Sequence, residues 1–400
     1  MKWKLLWPIL LTLIVPLAVS WFVYPETHLP PGFGEFPPQF HGDAPGFNLF
    51  VFILVGLSCL YIGGLLLFPK KFGFKGATPQ PAAPKVPLPW WFYAGTVVML
   101  FFWYLMWSHS FAFGNLVYWS FTPMWYGFIV AMDGLVYHRN NGSSLLSKKP
   151  VTFTLAAIVS TAGWVYFEFY DYFVLSNWYY PDAHNPGWSQ LVLTLEFLVT
   201  YSTITVVFFE WYTLFNTFPK FPARYMNGPK WAPSGDLLIW LGIALIGLMV
   251  VFPYPLFWVV WIGPFAVMSG VLIKNKIWNP FTGLATGNWA PFVLMALASM
   301  FNGFVWEFWN YGSHAIVTET QTNPNYWVYN IPYVDVIHIF SEMPLLGYFG
   351  YLPFGILVWQ VFIWSGKMFG FSTDISLDPT SSRQAEQTNV DTQPTAEQGQ

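Results

Sequence analysis

The sixteen basic residues of this chain stand only in every second break between its apolar stretches. Stretches long enough to cross a hydrocarbon layer of about 30 Å run near residues 5–24, 47–68, 89–107, 116–137, 151–174, 190–214, 236–252, 254–273, 290–311 and 335–364. Lys2 and Lys4 precede the first, and Lys70, Lys71, Lys75 and Lys85 follow the second. Arg139, Lys148 and Lys149 follow the fourth, while Lys220, Arg224 and Lys230 follow the sixth. Lys274 and Lys276 follow the eighth, and Lys367 and Arg383 the tenth. The breaks at 25–46, 108–115, 175–189 and 312–334 hold no Lys or Arg. The positive-inside rule turns this alternation into an expected architecture: an all-α polytopic transmembrane helical bundle of about ten spans, in a bacterial inner membrane, with both termini cytoplasmic.

Composition agrees, since 55% of the residues are hydrophobic and 9% charged, against about 25% charged in soluble domains. A net charge of −3 spread over short loops offers nucleic acid no basic patch. The lone cysteine, Cys59, excludes an intramolecular disulfide and a cysteine metal cluster and reads as a packing residue. Ala18-Val19-Ser20 would suit signal cleavage, but Pro8 and Pro16 inside the run and Trp21, Phe22 and Tyr24 after it favour a retained span. Residues 1–75 read as a two-span segment with an external Pro/Gly-rich loop, 76–89 as a stiff Pro-rich cytoplasmic linker, 90–371 as an eight-span core and 372–400 as a disordered tail.

Two hairpins look like copies of one another, the fifth and sixth spans and the ninth and tenth. The first reads Glu168-Phe169-Tyr170-Asp171-Tyr172, then Trp178-Tyr179-Tyr180, then Glu196. The second reads Glu307-Phe308-Trp309-Asn310-Tyr311, then Trp327-Val328-Tyr329, then Glu342. Both cross in the same direction, so the expected repeat is parallel, about an axis along the membrane normal.

Glu168, Asp171, Glu196, Glu210, Glu307, Asp335 and Glu342 fall in or at the ends of spans that hold no Lys or Arg to pair with them. An ionised carboxylate at mid-bilayer costs at least about 2.5–3.5 kcal/mol, so such groups face a polar interior or stay protonated. A neutral carboxylic acid can donate a proton. Helical spacing places Glu196, Thr200, Thr203 and Glu210 near one face, and Asp335, His338 and Glu342 on another. Glu307, Asn310 and His314 share a third. Converging faces would make a polar, acidic pocket ringed by Trp178, Tyr180, Trp327 and Tyr329, residues that an interfacial aromatic belt would also explain. Asp133 and Glu210 read as hydrated or capping groups and Asp236 as a helix N-terminal charge. His314 and His338 are expected as hydrogen-bonded partners and not metal ligands, because no Glu-x-x-His or His-x-x-x-His pair is present.

Asp171-Tyr172-Phe173-Val174, Trp178-Tyr179-Tyr180 and Glu196, with Ser341-Glu342-Met343-Pro344 in the second copy, resemble the integral-membrane lycopene cyclase domain. That family is built from paired halves with a Trp-x-Tyr loop and a paired-glutamate element; here the glutamates are single, Glu196 before Phe197 and Glu342 before Met343. The resemblance implies an isoprenoid or polyene lipid substrate and cyclisation without a cofactor. Protonating a double bond requires a carboxylic acid, a dry cavity and aromatic faces that stabilise a cation by about 0.5–2 kcal/mol each. Glu196 and Glu342 are then the acid and base, and Glu168 and Glu307 share the proton. Asp171, Trp178, Tyr180, Asn310, Trp327, Tyr329 and His338 line the substrate. A proton-coupled transporter or channel uses the same acids as a relay, and a non-catalytic assembly protein uses none of them.

Overall fold

The computed structural model describes residues 2–314 and 320–377. Its longer helices are α1 (Lys2–Val23), α2 (Leu49–Leu67), α3 (Trp90–Ser108), α4 (Phe121–Arg139), α5 (Pro150–Asp171), α6 (Gln190–Tyr201), α7 (Thr203–Asn216), α8 (Gly235–Val251), α9 (Val259–Lys274), α10 (Ala290–Ser313) and α11 (Tyr351–Phe369), and short helical turns stand at Leu145–Lys148, Lys220–Ala223 and Pro280–Thr286. Among the described residues seven helical stretches are long and apolar enough to cross a membrane: Lys2–Val23, Leu49–Leu67, Trp90–Ser108, Pro150–Val174, Gln190–Asn216, Ala290–Ser313 and Leu345–Phe369. The helices Gly235–Val251 and Val259–Lys274 are apolar but shorter. Helix ends follow local chemistry. Asn48 and Ser234 accept N–H bonds from Val51 and Leu237 at 3.1 and 3.4 Å, and α11 stops at Gly370 in the left-handed region (φ 86°).

Two hairpins close on glycine. A Cβ on Gly95 would stand 2.7 Å from the Gly127 carbonyl, and one on Gly127 2.5 Å from Met99 N, so α3 and α4 touch backbone to backbone. Gly235 and Gly270 bring α8 and α9 together in the same way. Helix α1 docks on this bundle through Tyr170, whose hydroxyl donates to the Thr12 carbonyl at 2.8 Å, and through Trp364, whose indole donates to the Leu5 carbonyl at 3.0 Å.

The breaks sort to two ends as the charge alternation requires. At the basic end Ala77 N bonds the Ala223 carbonyl, Val86 N the His138 carbonyl and Gly228 N the Gly287 carbonyl. At the other end the segment 25–48 is threaded among its neighbours: Gly42 N donates to the Leu175 carbonyl, Tyr180 N to that of Pro38 and Tyr333 N to that of Pro45. His109 Nδ1 lies 2.8 Å from Thr322 Oγ1 in the same layer.

Four expectations change. The stretch 335–364 is not one helix, because residues through Pro344 are irregular, 345–350 form a 3-10 turn and α11 begins at Tyr351. Proline at 344 cannot supply an N–H to a helix, and the segment bonds elsewhere, Leu345 N to the Ile337 carbonyl at 3.0 Å. The sixth span keeps its full length over Gln190–Asn216 but divides into α6 and α7 at a turn on Ser202, whose backbone stays helical. The fourth and eighth start late, after a 3-10 turn over Phe111–Trp119 and at Val259. The tail is ordered through Leu377: Ile375 is buried and Asp374 pairs with Lys149 at 2.6 Å; residues 378–400 lie outside the described residues.

Gly127→Val is expected to destabilise the bundle by at least about 1–3 kcal/mol through overpacking. Gly56→Ala, where a Cβ meets nothing within 4 Å, should be neutral. Loss of monodisperse protein on heating in detergent, followed by size exclusion, measures both.

Candidate functional site

Beneath the basic-free loop layer lies a cavity of about 270 Å³. Trp164 and Tyr201 of α5 and α6, Trp306 of α10, and Tyr351 and Phe354 of α11 form its inner walls. Trp178, Tyr180, Trp327 and Tyr329 close it from the loops. Trp178 stacks on Trp261 at 5.5 Å, and Phe354 packs edge-on to Trp261 at 5.4 Å. The segment 331–350 supplies most of the remaining side, with Ile331, Val334, Met343 and Leu346, and α2 adds Val55 and Cys59. Helix α2 otherwise shows its apolar surface outward at Leu54, Leu57 and Leu60.

The roof is a two-stranded antiparallel ladder, β1 (Trp178–Tyr179) and β2 (Val328–Tyr329), with Trp178 opposite Tyr329 and Tyr179 opposite Val328. Asp171, at the end of α5, holds the first strand by accepting from Asn177 N at 2.7 Å. Asn310, near the end of α10, holds the second with two bonds, accepting from Trp327 N at 3.1 Å and donating to the Trp327 carbonyl at 2.8 Å. The two Trp-x-Tyr segments thus hang from the ends of two helices by side chains placed three residues after Glu168 and Glu307.

Four donors converge on buried Glu168. Trp164 Nε1 and Tyr180 OH reach Oε1 at 2.8 Å, Tyr201 OH reaches it at 3.0 Å, and Trp178 Nε1 reaches Oε2 at 3.3 Å. Glu307 takes two phenols on Oε1, Tyr329 and Tyr351, each at 2.7 Å, while its Oε2 is buried with no partner. Trp327 Nε1 donates to the Tyr329 oxygen at 2.9 Å. Glu196 accepts from Asn325 Nδ2 at 2.7 Å and from Thr200 Oγ1 at 3.1 Å. Thr200 and Asn325 both line the cavity. Among the described residues no Lys, Arg or His pairs with Glu168, Glu196 or Glu307. Three buried carboxyl groups therefore stand one side chain behind the cavity wall, and what faces the cavity is phenol, hydroxyl, amide and indole. The acidic pocket expected from helical spacing is instead an aromatic one backed by acids.

The structure brings together Glu168, Glu196, Glu307, Asp171, Asn310, Trp178, Tyr180, Trp327 and Tyr329. It leaves Glu342 and His338 in the irregular segment, off the shared helix face expected for them with Asp335. Half-buried Glu342 accepts from Tyr326 OH at 2.8 Å, and Met343 beside it reaches the cavity. Burial first and Glu342 second hold the Tyr326 phenol above its ordinary range. His338 Nε2 sits 3.2 Å from Asp335 Oδ1, both half-exposed, a pair contributing about 0–1 kcal/mol; burial raises Asp335 and His338 opposes this. His314 falls just past α10 with its ring against Tyr326. Asp133 and Glu210 are fully buried, and of the two Asp133 caps a backbone N–H, that of Leu146. They adjoin near the basic end, where Asp133 accepts from Trp91 Nε1, Ser144 Oγ and Leu146 N at 3.0, 2.8 and 2.9 Å. Asp236 does sit in the first turn of α8, paired with Lys274.

Sequence reasoning missed Trp164, Tyr201, Tyr351 and Asn325. Trp164 lies four residues before Glu168, a helical neighbour that spacing can find. The phenols lie 33 and 44 residues from their carboxyls, and among 22 tyrosines nothing local marks them. Comparison with protein-family models, with curated proteins and with solved structures returned no match to this chain.

Asn310→Asp removes the donor to the Trp327 carbonyl and sets a carboxyl oxygen against it. A loss of about 1–3 kcal/mol is expected, larger than for Asp171→Asn, which keeps its acceptor for Asn177 N. Thermal unfolding in detergent followed by near-UV tryptophan circular dichroism reads both.

Proposed function

We propose that the chain is a ten-span inner-membrane enzyme, both termini cytoplasmic, that isomerises an isoprenoid or polyene lipid by protonating a carbon–carbon double bond. Carotenoid-type ring closure is the reaction that the resemblance to the lycopene cyclase domain names. The observation carrying this reading is the convergence of two carboxyl–tyrosine clusters, built on 168–201 and 307–351, upon one aromatic cavity. An internal repeat accounts for it economically. Glu168 and Glu307, Asp171 and Asn310, Tyr180 and Tyr329, and Tyr201 and Tyr351 play matching parts, and an antiparallel ladder with Tyr179 opposite Val328 is what a local two-fold between the copies requires.

In this reading an alkene sits among Trp178, Trp261, Trp306 and Phe354. A tyrosine hydroxyl passes it a proton drawn from a carboxyl behind, and the π faces stabilise the carbocation. Loss of a proton from a neighbouring carbon restores a double bond, so the reaction is an isomerisation. Glu196 reaches the cavity through Thr200 and Asn325 and can support the same proton balance, whereas Glu342 lies further out, beside Tyr326. The adjoining buried acids Asp133 and Glu210 favour a second reading, proton-coupled transport, in which they are a further proton station toward the basic side.

Expression in a lycopene-producing bacterial host, with pigments and isoprenoid lipids profiled by mass spectrometry, tests the proposal. Wild type should yield a cyclised isomer of unchanged mass. Glu307→Gln should lower its yield by about 10²–10⁴-fold, the usual contribution of a positioned acid, and the double variant Glu196→Gln/Glu342→Gln should also reduce it. An unchanged profile from wild type at normal membrane levels would reject lycopene cyclisation. Proton flux in liposomes driven by a pH gradient would then decide for transport.

A further inference from the structure

We infer that the two carboxyl clusters are wired for opposite protonation states, Glu307 as the neutral acid that stores the transferable proton and Glu168 as a permanent carboxylate. The chemical role rests on the proposed reaction; the wiring rests on hydrogen bonds alone. An indole N–H only donates, whereas a phenol both donates and accepts. Glu168 meets an indole at each oxygen, Trp164 Nε1 on Oε1 and Trp178 Nε1 on Oε2. A carboxylic proton on either oxygen would compete with an N–H that has no other way to bond, and the hydroxyls of Tyr180 and Tyr201 add two more donors to Oε1.

Glu307 is bonded by phenols, both on Oε1, and its Oε2 is buried with no bonded partner. One indole, that of Trp327 in the loop position matching Trp178, approaches the same carboxyl, but its N–H is spent on the Tyr329 oxygen. The difference has a sequence origin. Trp164 stands four residues before Glu168, but Gly303 stands four before Glu307, and the Tyr351 ring fills that space, 2.3 Å from where a Cβ would lie. Glycine in place of tryptophan removes the obligate donor, while the phenol is common to both copies, Tyr201 at Glu168 and Tyr351 at Glu307.

In the reaction, the hydroxyl of Tyr351 or Tyr329 turns its hydrogen from Glu307 Oε1 to an alkene carbon, and the Glu307 carboxyl rotates so that the oxygen carrying its hydrogen faces that phenol and gives the hydrogen to the phenol oxygen. The alkene π pair becomes the new C–H bond and leaves a cation on the neighbouring carbon. A second alkene of the substrate closes the ring with its π pair, and the proton then lost from carbon returns through the same tyrosine to Glu307. Glu168 stays unprotonated throughout and supplies negative charge on the opposite side.

Infrared spectroscopy of the purified full chain in lipid nanodiscs at neutral pH tests this without substrate, through the C=O stretch of protonated carboxyls. Glu307→Gln should remove one component of that band, and Tyr351→Phe should shift the same component without abolishing it. Glu168→Gln should leave it in place. Because the new amide would face indole N–H groups and the variant can fail to fold, Trp178→Phe is the companion: freeing Oε2 should add a protonated component. A band unaltered in Glu307→Gln, a component lost in Glu168→Gln, or no new component in Trp178→Phe would overturn the inference. An inactive wild type showing the Glu307-dependent band would instead discard the cyclisation and keep the wiring, and an active one without that band the reverse.

Discussion

A carboxyl group buried in a bundle with no cation beside it must draw all of its stabilisation from neutral donors, and the organisation around the cavity follows from that requirement. Glu168, Glu196 and Glu307 are each almost completely buried. Withdrawing them from water without hydrogen bonds would be prohibitive, so each is bonded by phenols, indoles, hydroxyls or amides from its own helix and from other segments. Indole and phenol combine a polar tip with a large apolar ring. The groups that satisfy the acids are therefore the same groups that build the aromatic wall.

This dual use explains why the loops matter as much as the helices. The Trp-x-Tyr segments are short, yet Asp171 and Asn310 tie them to helix ends and the two-stranded ladder ties them to each other. The segment 25–48 locks the layer from outside, with Tyr172 OH donating to the Glu35 carbonyl. Glycine-lined hairpins at α3/α4 and α8/α9 flank this assembly as rigid supports, whereas α2 meets the rest through few contacts and leaves most of its apolar surface outward.

The near-symmetry of the two clusters is as informative as its breaking. Matching carboxyls and matching phenols put two similar devices across one cavity, while tryptophan at 164 and glycine at 303 give them different donors. Two carboxyls in different environments can hold different protonation states at one pH, a common basis for dividing acid and base tasks. What differs between the two clusters is the set of neutral side chains within reach, indoles on both oxygens of Glu168 and phenols on one oxygen of Glu307.

Much was legible along the chain because the governing interactions are local. Whether a stretch partitions into an apolar phase depends on its own side chains, so the helices, the sorting of breaks to two ends and the Glu168/Asp171 and Glu307/Asn310 pairs could all be read from composition and spacing. Irregular backbone was harder. The segment Asp335–Pro344 has helical spacing and apolar content, but proline and bonds to other segments override the periodicity. Only the tertiary structure decided that Tyr201 and Tyr351 complete the clusters, that Glu342 stays outside, and that the acids stand behind the wall instead of lining it. Each of these depends on groups tens of residues apart competing for the same few donors, and no local signal in a chain so rich in tryptophan and tyrosine records which of them win.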